Sequence, residues 1–235
     1  YEDGVDPSDG LSKNHSRESG VFYWAFSEYG LAALACEQVW GCITVCRYTE
    51  HQSLLGGVSE LFNLVLMQFF NAEHDIRRSG ISVTLHSGRQ ALILAKASIL
   101  LADMPALKEC IACKGHSRTV CCPLCMNTVN HKAPGGAIPL HLLTDAAKSI
   151  ACTNFGSFKK HDDESIRSIA RKLDHYHNLL MEGKITQDEF SDRQQVLGWN
   201  WTPAGVILRK EYALSVSSMI MYDWAHVTVH DGICD

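Results

Sequence analysis

A carboxylate closes the most apolar stretch of this chain. The run Ala91-Leu-Ile-Leu-Ala-Lys-Ala-Ser-Ile-Leu-Leu-Ala102 ends on Asp103, and Met104-Pro-Ala-Leu-Lys108 follows. So continuous a run does not suit an amphipathic surface element. Its first reading is a buried strand over Leu92–Leu101, although Ala and Leu also permit a helix. Pro105 stands where the first turn of a helix tolerates proline, with Asp103 in the N-cap position. Asp103 is therefore expected at a strand-to-helix junction, at the carboxyl end of a strand. By itself this describes a plain helix N-cap.

Composition bounds the rest. With 235 residues, 46% of them apolar, the chain can bury a sizeable core as one large domain or two small ones. No apolar run reaches the roughly 18 residues of a membrane span, so no membrane partner is expected. The net charge of −5 argues against an extended nucleic-acid surface but leaves room for a local basic groove. The chain opens on Tyr1 with no signal-peptide pattern and stops at Gly232-Ile-Cys-Asp235, so a fragment is expected.

Along the chain, the first twenty or so residues read as a loop. Val21–Trp40 carries apolar residues at helical spacing and is expected to be a broken helix. Gly41–Tyr48 and Ile81–Leu85 read as strands, and Val58–Asn71 as an apolar helix. Cys110–Pro139 is irregular. His161–Met181 reads as a helix with Asp162, Asp163 and Glu164 favouring its positive end. Thr186-x-x-Glu189 matches a capping box and opens a second helix to about Leu197, giving a helical hairpin. Leu208–Ser217 is a further helix candidate.

Ten cysteines include two Cys-x-x-Cys pairs, Cys110/Cys113 and Cys122/Cys125. This clustering favours a reducing compartment and metal-bound thiolates over a disulfide framework. Such a turn lets two sulfurs grip one tetrahedral zinc ion. Two arrangements stay open. Four thiolates could form a local knuckle, or Cys122 and Cys125 could be completed by the distant His226 with Asp223 or His230. The bland reading is ordinary core or loop thiols. His226 and His230 share a face on a helix, but stand too far apart on a strand for one ion to bridge. Two-metal phosphoryl transfer needs converging acids, and Asp103, Asp3 and Asp6 are candidates. Asp3-Gly4 and Asp6-Pro7 are also turn dipeptides. No P-loop, dinucleotide fingerprint or nucleophile elbow is present.

The string Asp103-Met-Pro-Ala, then Lys114-Gly115 and Cys122-Pro-Leu-Cys-Met126, resembles the core of CACTA (En/Spm)-type cut-and-paste DNA transposases. Tyr222-Asp-Trp-Ala-His226 resembles that family's Asp-x-x-His signature. Asp3-Gly4 resembles the Asp-Gly of its first catalytic strand. Phe22-Tyr-Trp-Ala-Phe-Ser-Glu-Tyr-Gly30 looks like transposon-derived reading frames of some protist genomes. The resemblance implies an α/β chain, α+β with much helix. It would be a truncated ribonuclease-H-like core over residues 1–109, followed by a largely helical, zinc-stabilised insertion over 110–235. Asp3 and Asp103 would be the first two catalytic acids, using Mg2+. Cys122, Cys125, Asp223 and His226 would hold structural Zn2+, with Cys110, Cys113 and His230 as alternative ligands. Transposon-end DNA, a homo-oligomer and a nuclear location are implied. The family's third acid, a Glu, is expected beyond Asp235, and the first strand is expected to begin before Tyr1. The chain would then be a transposase fragment, incomplete or inactive alone. Two other readings stand beside it: a non-enzymatic zinc-stabilised interaction module derived from a transposon, and a thiol redox protein using Cys122-x-x-Cys125.

Overall fold

The computed structural model describes residues 2–5, 19–71, 73–114, 122–126, 159–203, 206, 212 and 214–222. The strands are β1 (Glu2–Val5), β2 (Ser19–Trp24), β3 (Gly41–Arg47), β4 (Ile81–Thr84), β5 (Gln90–Ile93), β6 (Leu100–Ala102) and β7 (Ile220–Tyr222). The helices are α1 (Gly30–Leu34), α2 (Tyr48–His51), α3 (Gly57–Phe70), α4 (Met104–Cys110), α5 (Asp163–Met181), α6 (Gln187–Leu197) and α7 (Val216–Met219). The fold is thus mixed helix and strand. None of these helices is long and apolar enough to cross a membrane.

Five strands make one mixed sheet in the order β3-β2-β1-β6-β7. The pairs β3–β2 and β2–β1 are antiparallel, whereas β6 runs parallel to both β1 and β7. β4 and β5 form a separate two-stranded hairpin. The mixed sheet draws strands from both sides of residue 110, since β7 pairs with β6.

The helix expected over Val21–Trp40 is replaced by β2, two short 3-10 turns and the brief α1. Val21 and Phe22 are buried, and β-branched and aromatic side chains suit a pleated, half-buried surface. Phe22 then stacks on Phe62 of α3, with ring centroids 5.7 Å apart. That contact is long-range, so helical spacing within the segment did not decide its structure.

The strand expected over Leu92–Leu101 also divides. Its first residues belong to β5 in the hairpin, and its last two to β6 in the main sheet. Between them the chain is irregular. The expected helix over Leu208–Ser217 lies largely outside the described residues, and where the chain is described, helix begins only at Val216.

The core gathers around α3, α4 and β6. Leu107, Cys110 and Ile111 from α4 and its end join Val58, Phe62 and Leu66 from α3, Leu100 and Ala102 from β6, and Ile166 and Leu173 from α5. Tyr212 enters the same core, and its hydroxyl donates to Asn63 Oδ1 at 2.7 Å, which satisfies a buried polar side chain. Trp199, after α6, is buried there too. α5 is therefore fixed to the core by one face, with Asp163 Oδ1 accepting from the Ser217 amide at 3.0 Å just before β7.

Candidate functional site

Asp103 stands at the strand-to-helix junction expected of it. β6 ends at Ala102 and α4 begins at Met104. Its backbone is extended, at φ −62° and ψ 169°, and its Oδ1 accepts from the Ala106 amide at 2.7 Å. Pro105 falls in the first turn, where its missing N–H leaves no intrahelical bond unmade. So Asp103 is a helix N-cap. Its second oxygen makes no hydrogen bond among the described residues, which leaves half of the carboxylate for other work.

Asp3 lies on β1, paired with Val21 of β2 across the antiparallel ladder. On the other side of β1, Glu2 pairs with Ala102 of β6 in parallel register. Asp3 follows Glu2 as Asp103 follows Ala102. The two acidic positions thus fall side by side in register, Asp3 near the amino end of β1 and Asp103 just past the carboxyl end of β6, on parallel strands whose backbones run about 5 Å apart. On β6's other side, Ala102 pairs with Tyr222, the last residue of β7. The next residue in the sequence is Asp223. Asp223, His226 and His230 lie outside the described residues, as does the side chain of Asp3.

The two Cys-x-x-Cys segments both dock at the open end of the helical hairpin, one beside the end of α6 and the other beside the start of α5. α4 closes with Cys113 N donating to Lys108 O at 2.8 Å, and Ala112 takes φ 58° to make that turn. Glycine is the usual residue for such a left-handed closure, so an alanine there carries strain. Lys114 N then donates to Gly198 O at 2.9 Å, and Asn200 N to Ala112 O at 2.7 Å. Cys113 Sγ lies 3.5 Å from the same Gly198 oxygen. Gly198 itself has φ 78° and ends α6, a place where glycine avoids the steric cost of a side chain.

The second pair is held beside the start of α5. His161 N donates to Leu124 O at 2.9 Å and Met126 N to Lys159 O at 2.8 Å, fixing the Cys122–Cys125 turn beside the start of α5. His161 is buried, with its Nδ1 2.9 Å from Ser165 Oγ and its ring edge-on to Trp199 at 6.3 Å between centroids. Burial holds its pKa below the ordinary histidine value, with Asp162 pulling the other way. His161 and Trp199 thus link the two thiol segments. Sequence reasoning missed this link because neither residue lies near the first cysteine pair in the chain.

The donor chemistry of the cysteines suits zinc. Yet no three His, Cys, Asp or Glu side chains among the described residues are grouped so as to hold a metal ion. The acidic pair suits a hard divalent cation, since carboxylate oxygens are the ligands Mg2+ prefers.

Comparisons of the chain with protein-family models, with curated proteins and with solved structures return no match.

Proposed function

We propose that this chain carries the core of a DDE-type cut-and-paste DNA transposase, or of a domesticated derivative, acting on phosphodiesters. The observation that carries this reading is the register that sets Asp3 beside Asp103 on neighbouring parallel strands. The sheet supports it as well. An antiparallel meander, extended beyond its first strand by two parallel strands, is the strand order the ribonuclease-H-like reading calls for. In the sequence, Asp223 follows Tyr222 just as Asp103 follows that residue's register partner, Ala102. This favours Asp223 as the third carboxylate over a Glu beyond Asp235, and over a place among zinc ligands.

Mg2+ bound by these acids would activate water or a DNA 3′-hydroxyl and stabilise the leaving oxygen. Asp103 would offer Oδ2 while the Ala106 amide holds Oδ1, so the cap also orients the ligand. On this reading the partner is transposon-end DNA, met as a homo-oligomer in the nucleus.

The test uses a substitution that spares the cap. Asparagine caps helices about as well as aspartate but carries no charge. Asp103→Asn is expected to leave the melting temperature nearly unchanged while cutting Mg2+-dependent DNA nicking at least about 100-fold, the scale of losing one electrostatic contributor to catalysis. Equal nicking by wild type and variant would overturn the assignment. Asp223→Asn is expected to show the same loss with bound zinc unchanged, whereas release of zinc would return Asp223 to the metal ligands.

A second reading, a non-enzymatic zinc-stabilised module, draws on the docking of both thiol turns against His161 and Trp199. It expects chelation to lower the melting temperature and Mg2+ to have no effect. A melt insensitive to chelator would remove it.

A further inference from the structure

A basic concavity lies between α5 and α6, on the side of α5 turned away from the core. It has a volume of about 470 Å³, and Arg171, Lys172, His175 and Tyr176 of α5 face Arg193 of α6 across it, with Ser168 at one end. Val196 and Leu197 complete its lining, and no carboxylate does so.

Helical spacing builds this face. Residues three and four apart share one side of a helix, so 168, 171, 172, 175 and 176 form a single row, while Ile166 and Leu173 turn into the core. The row climbs about 6 Å for every four residues. Arg193 comes from the second helix, with its guanidinium carbon 5.4 Å from the Tyr176 ring centroid, so the ring steadies one cation at the groove wall. Arg171 pairs with Glu164 outside the groove, two turns nearer the start of α5. Lys172 and Arg193 form no salt bridge among the described residues, although the Arg193 charge is felt by Glu189, which does not line the groove. Three full positive charges gathered without a lining carboxylate repel one another. They do so in a chain whose net charge is −5, so the groove is a local excess and not a reflection of overall composition.

We propose that this groove is a contact surface for the phosphate backbone of DNA, with Lys172 and Arg193 as its principal phosphate contacts and Tyr176 as their support. The proposal rests on the transposase reading and adds to it a place where the duplex is held. A line of cations on a fixed helix suits a polyanion carrying charges in a row. Rigidity matters here, because α5 is anchored to the core by Ile166 and Leu173 and by the Asp163–Ser217 bond.

The experiment measures anisotropy of a fluorescent duplex of random sequence with the full 235-residue chain, in chelator so that no cleavage occurs. The variant is Lys172→Ala/Arg193→Ala, compared with Arg78→Ala/Lys184→Ala, which removes the same charge away from the groove. The groove variant is expected to weaken binding roughly 10- to 100-fold near 0.1 M salt, and to lower the slope of log affinity against log salt by about two. The control pair is expected to bind like wild type. Equal weakening by both pairs would reduce the effect to net charge and overturn the proposal, as would no weakening by either. Displacement of the duplex from wild type but not from the groove variant by an acidic peptide in stoichiometric amount would assign the groove to a protein partner instead. Circular dichroism of both variants checks the fold, and Lys172→Gln/Arg193→Gln repeats the test while keeping more of the side-chain packing. The outcome is separable from that of Asp103→Asn: loss of nicking there with groove-independent binding sinks only the groove, and groove-dependent binding without any nicking sinks only the catalytic reading.

Discussion

One apolar run supplies both an exposed and an enclosed strand of this fold. In its first part Leu92 and Leu94 are 60% and 57% exposed, while Leu100 and Ala102 near its end are 5% and 0% exposed. Apart from Lys96, both sides of Ser98 consist of Ala, Leu and Ile. The difference is the neighbour: β5 pairs only with β4, whereas β6 lies between β1 and β7 with α4 following it. An apolar run therefore states what can be buried, and pairing decides what is. The acidic site belongs to the enclosed half, where β1, β6 and β7 fix the register of their ends.

The largest expected effect breaks the enclosed side. Leu107 of α4 is fully buried within the main core. Leu107→Ala removes packing that a rigid interior cannot refill, and is expected to cost about 2–5 kcal/mol in urea unfolding. A loss below about 1 kcal/mol, the range of substitutions away from a tight core, would mean that α4 does not seat against the sheet as described. Asp103 would then lose its fixed position too, because its Oδ1 is tied to the first turn of that helix.

Acid acts on the same side by another route. His161 is neutral by preference in the fold, because burial lowers its pKa from an ordinary value of about 6.5. A histidine with a depressed folded pKa contributes its full stability above the unfolded value. That contribution falls as pH drops below about 6.5 towards the folded pKa, since the unfolded chain takes up the proton more readily. The melting temperature should therefore decline on acidification through this window, and His161→Gln should decline less. Parallel pH profiles for wild type and variant would show that His161 is not carrying the effect. Hydrogen exchange sharpens the comparison: protection of the His161 and Met126 amides, which donate to Leu124 O and Lys159 O, should fall as the pH is lowered, while that of the β4–β5 hairpin should not follow it.

Elements set by local chemistry could be read in advance. Thr186 Oγ1 accepts from Glu189 N at 3.2 Å and Glu189 Oε2 accepts from Thr186 N at 2.8 Å, the reciprocal pair that the capping-box pattern predicts. α3, α5, β3 and β4 likewise form close to their expected bounds. β2 was misread because Val21-Phe-Tyr-Trp24 satisfies helical spacing, yet its stability comes from Phe62 and from two flanking strands. For the site, Pro105 after Asp103 made the junction legible. The register beside Asp3 was not, because strand pairing across the whole first half of the chain leaves no trace in local pattern. The basic row on α5 was present in the spacing of Arg171, Lys172, His175 and Tyr176. Only the approach of Arg193 from α6 turned that row into a groove.

The smallest expected effect tests the other half of the apolar run. Leu92 lies on β5 opposite Ser82 of β4, in a hairpin that no third strand joins among the described residues. Most of its side chain already meets solvent, so a polar replacement removes little buried apolar area. Leu92→Ser is expected to change stability by no more than about 0.5 kcal/mol, the scale of a surface substitution. One local cost is foreseeable. Leu92 Cγ lies 2.9 Å from where a Cβ on Gly80 would stand, so the leucine packs over that glycine's turn, where φ is 65°. Serine leaves this turn uncovered, and the hairpin should fray before the main sheet does. A stability loss approaching that of Leu107→Ala would place Leu92 inside a core, and the contrast between the two halves of the run would fail.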